Sequence, residues 1–261
     1  MAELYDVQAS VQYGQDAAYY INGLGISNDA TTPNTILNVA PGSCLDSTGT
    51  FQFNSNVVLS LNTALIGLGG LDTGTIAAST MYAVYAVWDA VHNKPAGIML
   101  SLSLTQPYLP FAYGQFLLIG FVTIDSSSHI VKGYWSAGNS STREFTYDVN
   151  QVTAVTAGTS STLANVNLIA VVPNVNNTPV QILSSFVPAA ANDVLVLQSG
   201  LSDAAGTQGI VVGQVAAVTV TTGMKILAQT VVLSSISSPV VNYKITGGTV
   251  AIDVYGYTWY V

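Results

Sequence analysis

The sequence is poor in charge, because Asp, Glu, Lys and Arg together make up only 7% of its 261 residues. Soluble domains carry about 25% charged residues. Five basic residues stand against thirteen acidic ones, which gives a formal net charge of −8. A surface that binds nucleic acid needs a cluster of Lys and Arg, and five along the whole chain are too few. The composition therefore predicts that nucleic acid is not a partner.

Long apolar runs are also missing, although 49% of the residues are hydrophobic. A membrane-spanning helix needs about 18 or more consecutive apolar residues. The most apolar stretches, such as residues 116–122, are soon interrupted by Gly, Ser, Thr or Asn. No basic segment followed by an apolar one begins at Met1, so we expect neither a signal peptide nor membrane insertion.

Residues that carry catalysis or bind metals are scarce. Cys44 is the single cysteine, which excludes an internal disulfide, and His92 and His129 are the two histidines. Both histidines lie in segments rich in Asp, Ser, Asn and Pro, which are typical of turns. No Gly-x-Ser-x-Gly motif and no metal-binding motif occurs, although a single Ca²⁺ site of carboxylates and carbonyls stays open. The Gly-rich residues 67–74 lack the Lys-Ser/Thr of a phosphate-binding loop and are predicted to be a turn. We expect no catalytic residue, cofactor or metal.

Paired carboxylates are the one enzymatic alternative that the sequence leaves open. Glycoside hydrolysis needs two of them, roughly 5–10 Å apart. The candidates near predicted turns are Asp46, Asp72, Asp89 and Asp125. Three of these precede Ser or Thr, a pairing that favours Asx-turns. We therefore prefer the interpretation that these aspartates stabilise turns over the interpretation that they cleave a polysaccharide.

The residues that are abundant predict strands. Val, Ile, Thr, Tyr and Phe recur in runs of five to eight between Gly, Asn, Ser and Pro, whereas the helix former Glu occurs only at positions 3 and 144. We predict an all-β fold of two β-sandwich or jelly-roll-like domains. The net charge is −7 over residues 1–150 and −1 over the rest. The polar, turn-prone residues 151–164 are predicted as a linker between an N-terminal domain (1–150) and a C-terminal domain (165–261).

The C-terminal end has the clearest local pattern. Residues 241–246 and 250–255 each alternate apolar and polar side chains around Gly247-Gly248, which predicts a β-hairpin. Aromatic residues continue almost to the last position, and a frayed tail is not usually built in this way. A place in the core and a place at a subunit interface are equal alternatives for these aromatic residues. The candidate subunit-interface residues are Tyr255, Tyr257, Trp259 and Tyr260.

Four segments of the N-terminal half share a pattern with one family. They are residues 23–29 (Gly-Leu-Gly-Ile-Ser-Asn-Asp) with Pro33 and the later Gly42–Asp46-Ser47 turn, residues 69–85 with Gly-Leu-Asp-Thr-Gly, residues 100–110 with Ser-x-Ser and two prolines, and residues 118–125. On these segments, residues 20–150 resemble a domain family found in bacteriophage virion proteins, of tail-fibre and head-decoration type. The last segment departs from the family, because Leu117 and Leu118 replace a basic pair.

The resemblance implies a component of a phage particle that is built as a symmetric oligomer, most often a trimer. It carries no catalytic residue. We therefore expect a non-enzymatic capsid decoration or cement protein, made in the host cytoplasm and located on the virion surface. Its expected partners are its own copies and the major capsid protein or another virion protein. The alternatives are a tail-fibre or tail-tip component that recognises a host surface glycan, and a polysaccharide-degrading virion enzyme.

Overall fold

The computed structural model describes residues 20–92, 94–136, 142–148, 152–175, 178–190, 192–199, 210–214, 224–233 and 239–260. These residues form β-strands joined by turns and loops, and no helix occurs among them. The strands form several antiparallel sheets. The all-β prediction is confirmed. The chain divides into two compact units, and the main boundary lies between Arg143 and Glu144.

The strands of the first unit belong to three antiparallel sheets. Its strands are β1 (Ile21–Gly23), β2 (Ile26–Asn28), β3 (Ile36–Val39), β4 (Gly42–Leu45), β5 (Gln52–Ser55), β6 (Leu59–Asn62), β7 (Thr80–Asp89), β8 (Lys94–Ser101), β9 (Gln115–Ile124) and β10 (Gly133–Trp135). Their orders are β1-β4-β5, β10-β2-β3-β6 and β8-β7-β9.

Strand β7 shows why these sequences form strands and where the core of the first unit lies. Its sequence alternates Tyr, Ala, Val and Trp, and every residue from Tyr82 to Asp89 is buried. Aromatic and β-branched residues favour strands, and a strand buried on both faces reads as a continuous apolar run. Accordingly, β7 is the central strand of its sheet, and the Trp88 ring packs edge-on against Phe53 with centroids 5.3 Å apart.

The second unit is built mainly from the remaining strands. They are β11 (Thr142–Tyr147), β12 (Val152–Gly158), β13 (Ala164–Asn167), β14 (Thr178–Val187), β15 (Val194–Ser199), β16 (Ile210–Gln214), β17 (Met224–Leu233), β18 (Val240–Ile245) and β19 (Thr249–Tyr260). One sheet has the order β17-β14-β19-β11, with β12 also paired to β19, and the other has the order β13-β18-β15-β16. Strand β17 also contacts β15 and β18 of the other sheet.

The burial of β14 and β18 follows the two-residue period of a strand. In β14 every second residue from Thr178 to Phe186 is buried, and in β18 the buried residues are Val241, Tyr243 and Ile245. Because successive side chains of a strand point to opposite faces, each strand presents one apolar face to the core of the second unit.

The predicted C-terminal hairpin is wrong. Strands β18 and β19 both exist and flank Gly247-Gly248, but they belong to different sheets: β18 pairs with β13 and β15, whereas β19 pairs with β14. Gly248 has a φ of +85°, and a Cβ atom there would lie 2.0 Å from the carbonyl oxygen of Val187. The two glycines therefore form a tight corner between sheets and not a turn within one ladder.

The expected linker also differs from the structure. Residues 152–158, within the predicted 151–164 segment, form β12, which pairs with β19 through two irregular steps in register. The unit boundary after Arg143 falls earlier than the predicted end of the N-terminal domain at residue 150. Small polar residues have weak strand propensity, but pairing with an existing strand overrides it.

Candidate functional site

Both histidines lie in turns, as the sequence predicted. In the turn after β7, Asp89 Oδ1 accepts hydrogen bonds from the amides of Val91 and His92, and its Oδ2 lies 2.9 Å from His92 Nδ1. Burial raises the pKa of the Asp89 carboxyl, but the hydrogen bonds from His92 and Val91 outweigh it, and the pKa lies below its ordinary value. His129 likewise donates its amide to Asp125. Among the described residues, neither histidine contacts a serine hydroxyl, so no catalytic triad is assembled there.

Three of the four candidate carboxylates organise their own turns, and Asp89 does so through the amides of Val91 and His92. Asp46 accepts hydrogen bonds from the Thr48 hydroxyl and from the amides of Thr50 and Phe51. Asp125 accepts them from the amides of Ser127 and His129. Such contacts are those of Asx-turns. Asp72 does not follow this pattern, because its partners lie far along the chain.

The Gly-rich segment is a turn whose backbone amides are occupied. The amides of Gly67, Gly69 and Gly70 donate to the carbonyl oxygens of Leu71, Ile98 and Gly67, respectively. A phosphate-binding loop needs amides that point outward to the ligand. Within the described ranges, no group of three or more His, Cys, Asp and Glu residues is placed to hold a metal ion.

The chain's one arginine lies in the interior of the first unit. Arg143 is fully buried and donates hydrogen bonds to the carbonyl oxygens of Ile119 and Leu24. Burial lowers its pKa to about 10, so the guanidinium stays charged at neutral pH. Arg143 therefore adds no positive charge to the surface.

The four predicted interface residues divide into two pairs. Tyr257 and Trp259 are buried, and the Tyr257 ring packs against Phe145, with 5.2 Å between centroids. Tyr255 and Tyr260 are 40% and 55% exposed. The first pair thus belongs to the protein's own core, which was one of the two alternatives, and only the second pair is accessible to a partner.

The long loop between β8 and β9, residues 102–114, exposes large apolar side chains to solvent. We call it the 102–114 loop. Phe111 is 96% exposed and Tyr108 is 74% exposed, and Leu102 and Leu104 are also exposed. Lys94 Nζ donates a hydrogen bond of 2.9 Å to the Phe111 carbonyl oxygen. The sequence marks residues 100–110 only as part of the family resemblance and does not predict this exposed apolar loop, although its prolines at 107 and 110 are poor residues for a central strand.

One groove of the first unit lies beside this loop. Its volume is about 540 Å³, and we call it the Asp72 groove. Asp72 Oδ2 accepts hydrogen bonds from the Ser101 hydroxyl at 2.6 Å and from the Tyr108 amide at 3.0 Å. The lining residues are Asp72, Thr73, Ser101, Leu102, Ser103, Thr105, Gln106, Pro107 and Tyr108.

Comparison with known proteins found no matching family model, no matching curated protein and no matching solved structure. The resemblance to phage virion proteins therefore remains an expectation from the sequence. In the part of the chain that the structure describes, no helix is long and apolar enough to cross a membrane.

Proposed function

We propose that the protein is a non-enzymatic structural component of a bacteriophage particle, a decoration or cement protein that forms a trimer on the capsid surface. The proposal takes its particle context from the resemblance of residues 20–150 to virion proteins. Its physical support is the 102–114 loop.

The exposed apolar side chains of this loop are the observation that carries the proposal. Leu102, Leu104, Tyr108 and Phe111 lie within ten residues of one another and are all exposed. Large contiguous apolar patches on soluble proteins mark interaction sites, because covering them removes apolar area from water. Aromatic side chains are enriched at the centres of protein interfaces. We assign the loop to the contact with the major capsid protein or another virion protein.

The second unit is proposed to pack against copies of itself. Low charge over residues 165–261 leaves few like charges to keep strands apart, and edge strands without charge favour association. Tyr255 of this unit and Tyr260, which groups with the first unit, are the exposed aromatic residues at the end of β19 that a neighbouring subunit can reach. A symmetric trimer is then a closed assembly in which each subunit offers the same surfaces.

Three measurements test this function. Light scattering of the purified protein at micromolar concentration should give the mass of a trimer, and a monomer would contradict self-association. Immunogold labelling of particles should place the protein on the capsid. Capsids that lack it should release DNA at a lower temperature than complete capsids, since a cement protein adds contacts between capsid subunits.

A tail location is the second candidate, and the Asp72 groove is the observation that favours it. A tail-fibre or tail-tip protein must recognise the host surface, and the groove combines an exposed tyrosine with hydroxyl and carboxyl groups. Gold labelling confined to the tail would select this candidate. Release of reducing sugar from host glycan that is abolished by Asp72→Ala would instead favour the polysaccharide-degrading enzyme.

A further inference from the structure

The Asp72 groove is held in shape by hydrogen bonds within the first unit. The Ser101 hydroxyl, which donates to Asp72, also accepts from the Ser103 amide at 3.0 Å. The Ser103 hydroxyl accepts from the Gln106 amide at 3.1 Å, and the buried Tyr85 hydroxyl donates to the Ser103 carbonyl oxygen at 2.9 Å. A loop fixed in this way before binding loses less conformational entropy when a ligand arrives.

The lining of the groove defines the chemistry of the ligand. It offers hydroxyl groups from Thr73, Ser103 and Thr105 and an amide from Gln106, together with one carboxylate and one exposed aromatic ring. No basic residue lines it. A phosphate, sulfate or sialic acid would meet the negative charge of Asp72 without a cation to balance it. The groove therefore disfavours anionic sugars and fits a ligand that is rich in hydroxyl groups.

Asp72 and Tyr108 supply the two contacts that a sugar ring requires. Both hydrogen bonds to Asp72 fall on Oδ2, and among the described residues no donor contacts Oδ1. A carboxylate oxygen accepts hydrogen bonds from sugar hydroxyls strongly, because it is charged. The Tyr108 ring is mostly exposed and presents a flat apolar face with a polar tip.

We propose that the Asp72 groove binds a neutral oligosaccharide, with Tyr108 stacked on one sugar ring and Asp72 accepting hydrogen bonds from its hydroxyls. The volume of about 540 Å³ lies within the range of 300–1,000 Å³ that is typical of small-ligand sites. Of the described lining residues, Asp72 is the one acidic group, whereas glycoside hydrolysis uses two. The site is thus one for binding without cleavage. Tyr108 also belongs to the 102–114 loop, so the groove is open to a sugar only where no particle contact covers that loop, and the free protein is therefore used to test binding.

The test is a glycan-binding experiment on the purified full-length protein. An array of neutral, amino, sialylated and phosphorylated oligosaccharides is probed first, and the strongest neutral binder is then titrated by calorimetry. We expect binding to neutral glycans that survives EDTA. In Tyr108→Ala the affinity should fall at least tenfold, and the backbone amide that donates to Asp72 is retained in this variant. The matched control is Tyr134→Ala, which removes an exposed tyrosine outside the groove and should bind as the wild type does.

A second variant guards against a purely structural effect. Asp72→Asn keeps a side-chain oxygen that can accept from Ser101 but removes the charge, so the affinity should fall while circular dichroism and the unfolding midpoint stay close to wild type. No binding to any neutral glycan at millimolar concentration would overturn the proposal. So would equal binding by wild type and Tyr108→Ala, preference for anionic or amino glycans, or loss of binding in EDTA. Gold labelling of particles tests the proposed function separately, so either result can fail alone.

Discussion

Truncation of Phe111 tests the proposed contact between the 102–114 loop and the particle. Its ring is 96% exposed, and an aromatic side chain buries roughly 150–250 Å² when it is covered. At about 25 cal/mol per Å², this area corresponds to about 4–6 kcal/mol before the costs of association are subtracted. Truncation of a single interface residue of this kind weakens the binding free energy by about 2–4 kcal/mol. We expect Phe111→Ala to weaken attachment by about 2–3 kcal/mol, roughly 30- to 150-fold.

The substitution should leave the loop intact. The Phe111 carbonyl oxygen, which accepts the hydrogen bond from Lys94, belongs to the backbone and is retained. The ring itself lies 5.7 Å from Lys94 Nζ, and at an exposed site this cation–π contact contributes only about 0.5–1 kcal/mol. The free protein should therefore unfold at nearly the wild-type denaturant concentration.

The assay is co-sedimentation of labelled protein with particles assembled without it, over a range of protein concentrations. Tyr134→Ala is the matched control, because it removes an exposed aromatic ring from β10 in the same unit. Unchanged attachment of Phe111→Ala would refute the assignment of the loop. An equal loss in both variants would refute it as well, since the effect would then not be specific to the loop.

Three further predictions concern stability. Gly248→Ala should destabilise the second unit by about 3 kcal/mol or more, because the added Cβ would lie 2.0 Å from a backbone oxygen. Gly67→Ala should destabilise the first unit by only about 1 kcal/mol, because Gly67 has a φ of +88° but open space around its Cβ position. Hydrogen exchange resolved by peptide measures both changes. Asp193→Ala should cost about 2–3 kcal/mol in urea unfolding, because it removes a carboxylate that accepts from two backbone amides. Hydrogen bonds, foremost from the Thr32 amide, lower the pKa of Asp29 from 3.8 to about 2. The stability that these bonds contribute is therefore present above pH 3.8 and is lost as the pH falls towards 2. Asp29→Asn should reduce this acid-induced loss of stability in unfolding titrations.

Local physics accounts for what the sequence predicted correctly. The aromatic and β-branched residues of β7 and the strict alternation of β14 identify strands without knowledge of the fold. The turns at Asp89 and Asp125 follow from carboxylates that accept hydrogen bonds from amides two to four residues later. Each of these features is decided by neighbours in the sequence, so a single sequence contains it.

Partners that are distant in sequence account for the failure at Gly247-Gly248. Alternation correctly indicates that β18 and β19 are strands, but it does not identify the strand that pairs with each. The corner depends on the Asp193 carboxylate, which accepts from the Thr246 hydroxyl at 3.2 Å, and on the close approach of Gly248 to Val187. Gly-Gly is compatible with both a hairpin and a corner, because both need positive φ.

The Asp72 groove was not predictable for the same reason. The Thr that follows Asp72 favours a local Asx-turn. The Asp72 carboxylate instead accepts hydrogen bonds from Ser101, the last residue of β8, and from Tyr108 in the 102–114 loop. The prolines of the 102–114 loop indicate that its apolar residues lie outside a strand, but not which of them reach solvent. Only the fold brings the carboxylate, the hydroxyls and the tyrosine to one groove.

The end of β19 shows how one irregular residue decides which aromatic side chains can meet a partner. In the ladder with β14, Gly256 pairs with Gln181 and Val254 pairs with Ile182, so Tyr255 is an extra residue at a β-bulge. Before the bulge the buried residues of β19 have even numbers, and after it Tyr257 and Trp259 are buried instead. A regular strand would place Tyr255, Tyr257 and Trp259 on one face, and all three would then be core or all three interface. The bulge separates them, and the subunit contact that we propose therefore rests on Tyr255 and Tyr260.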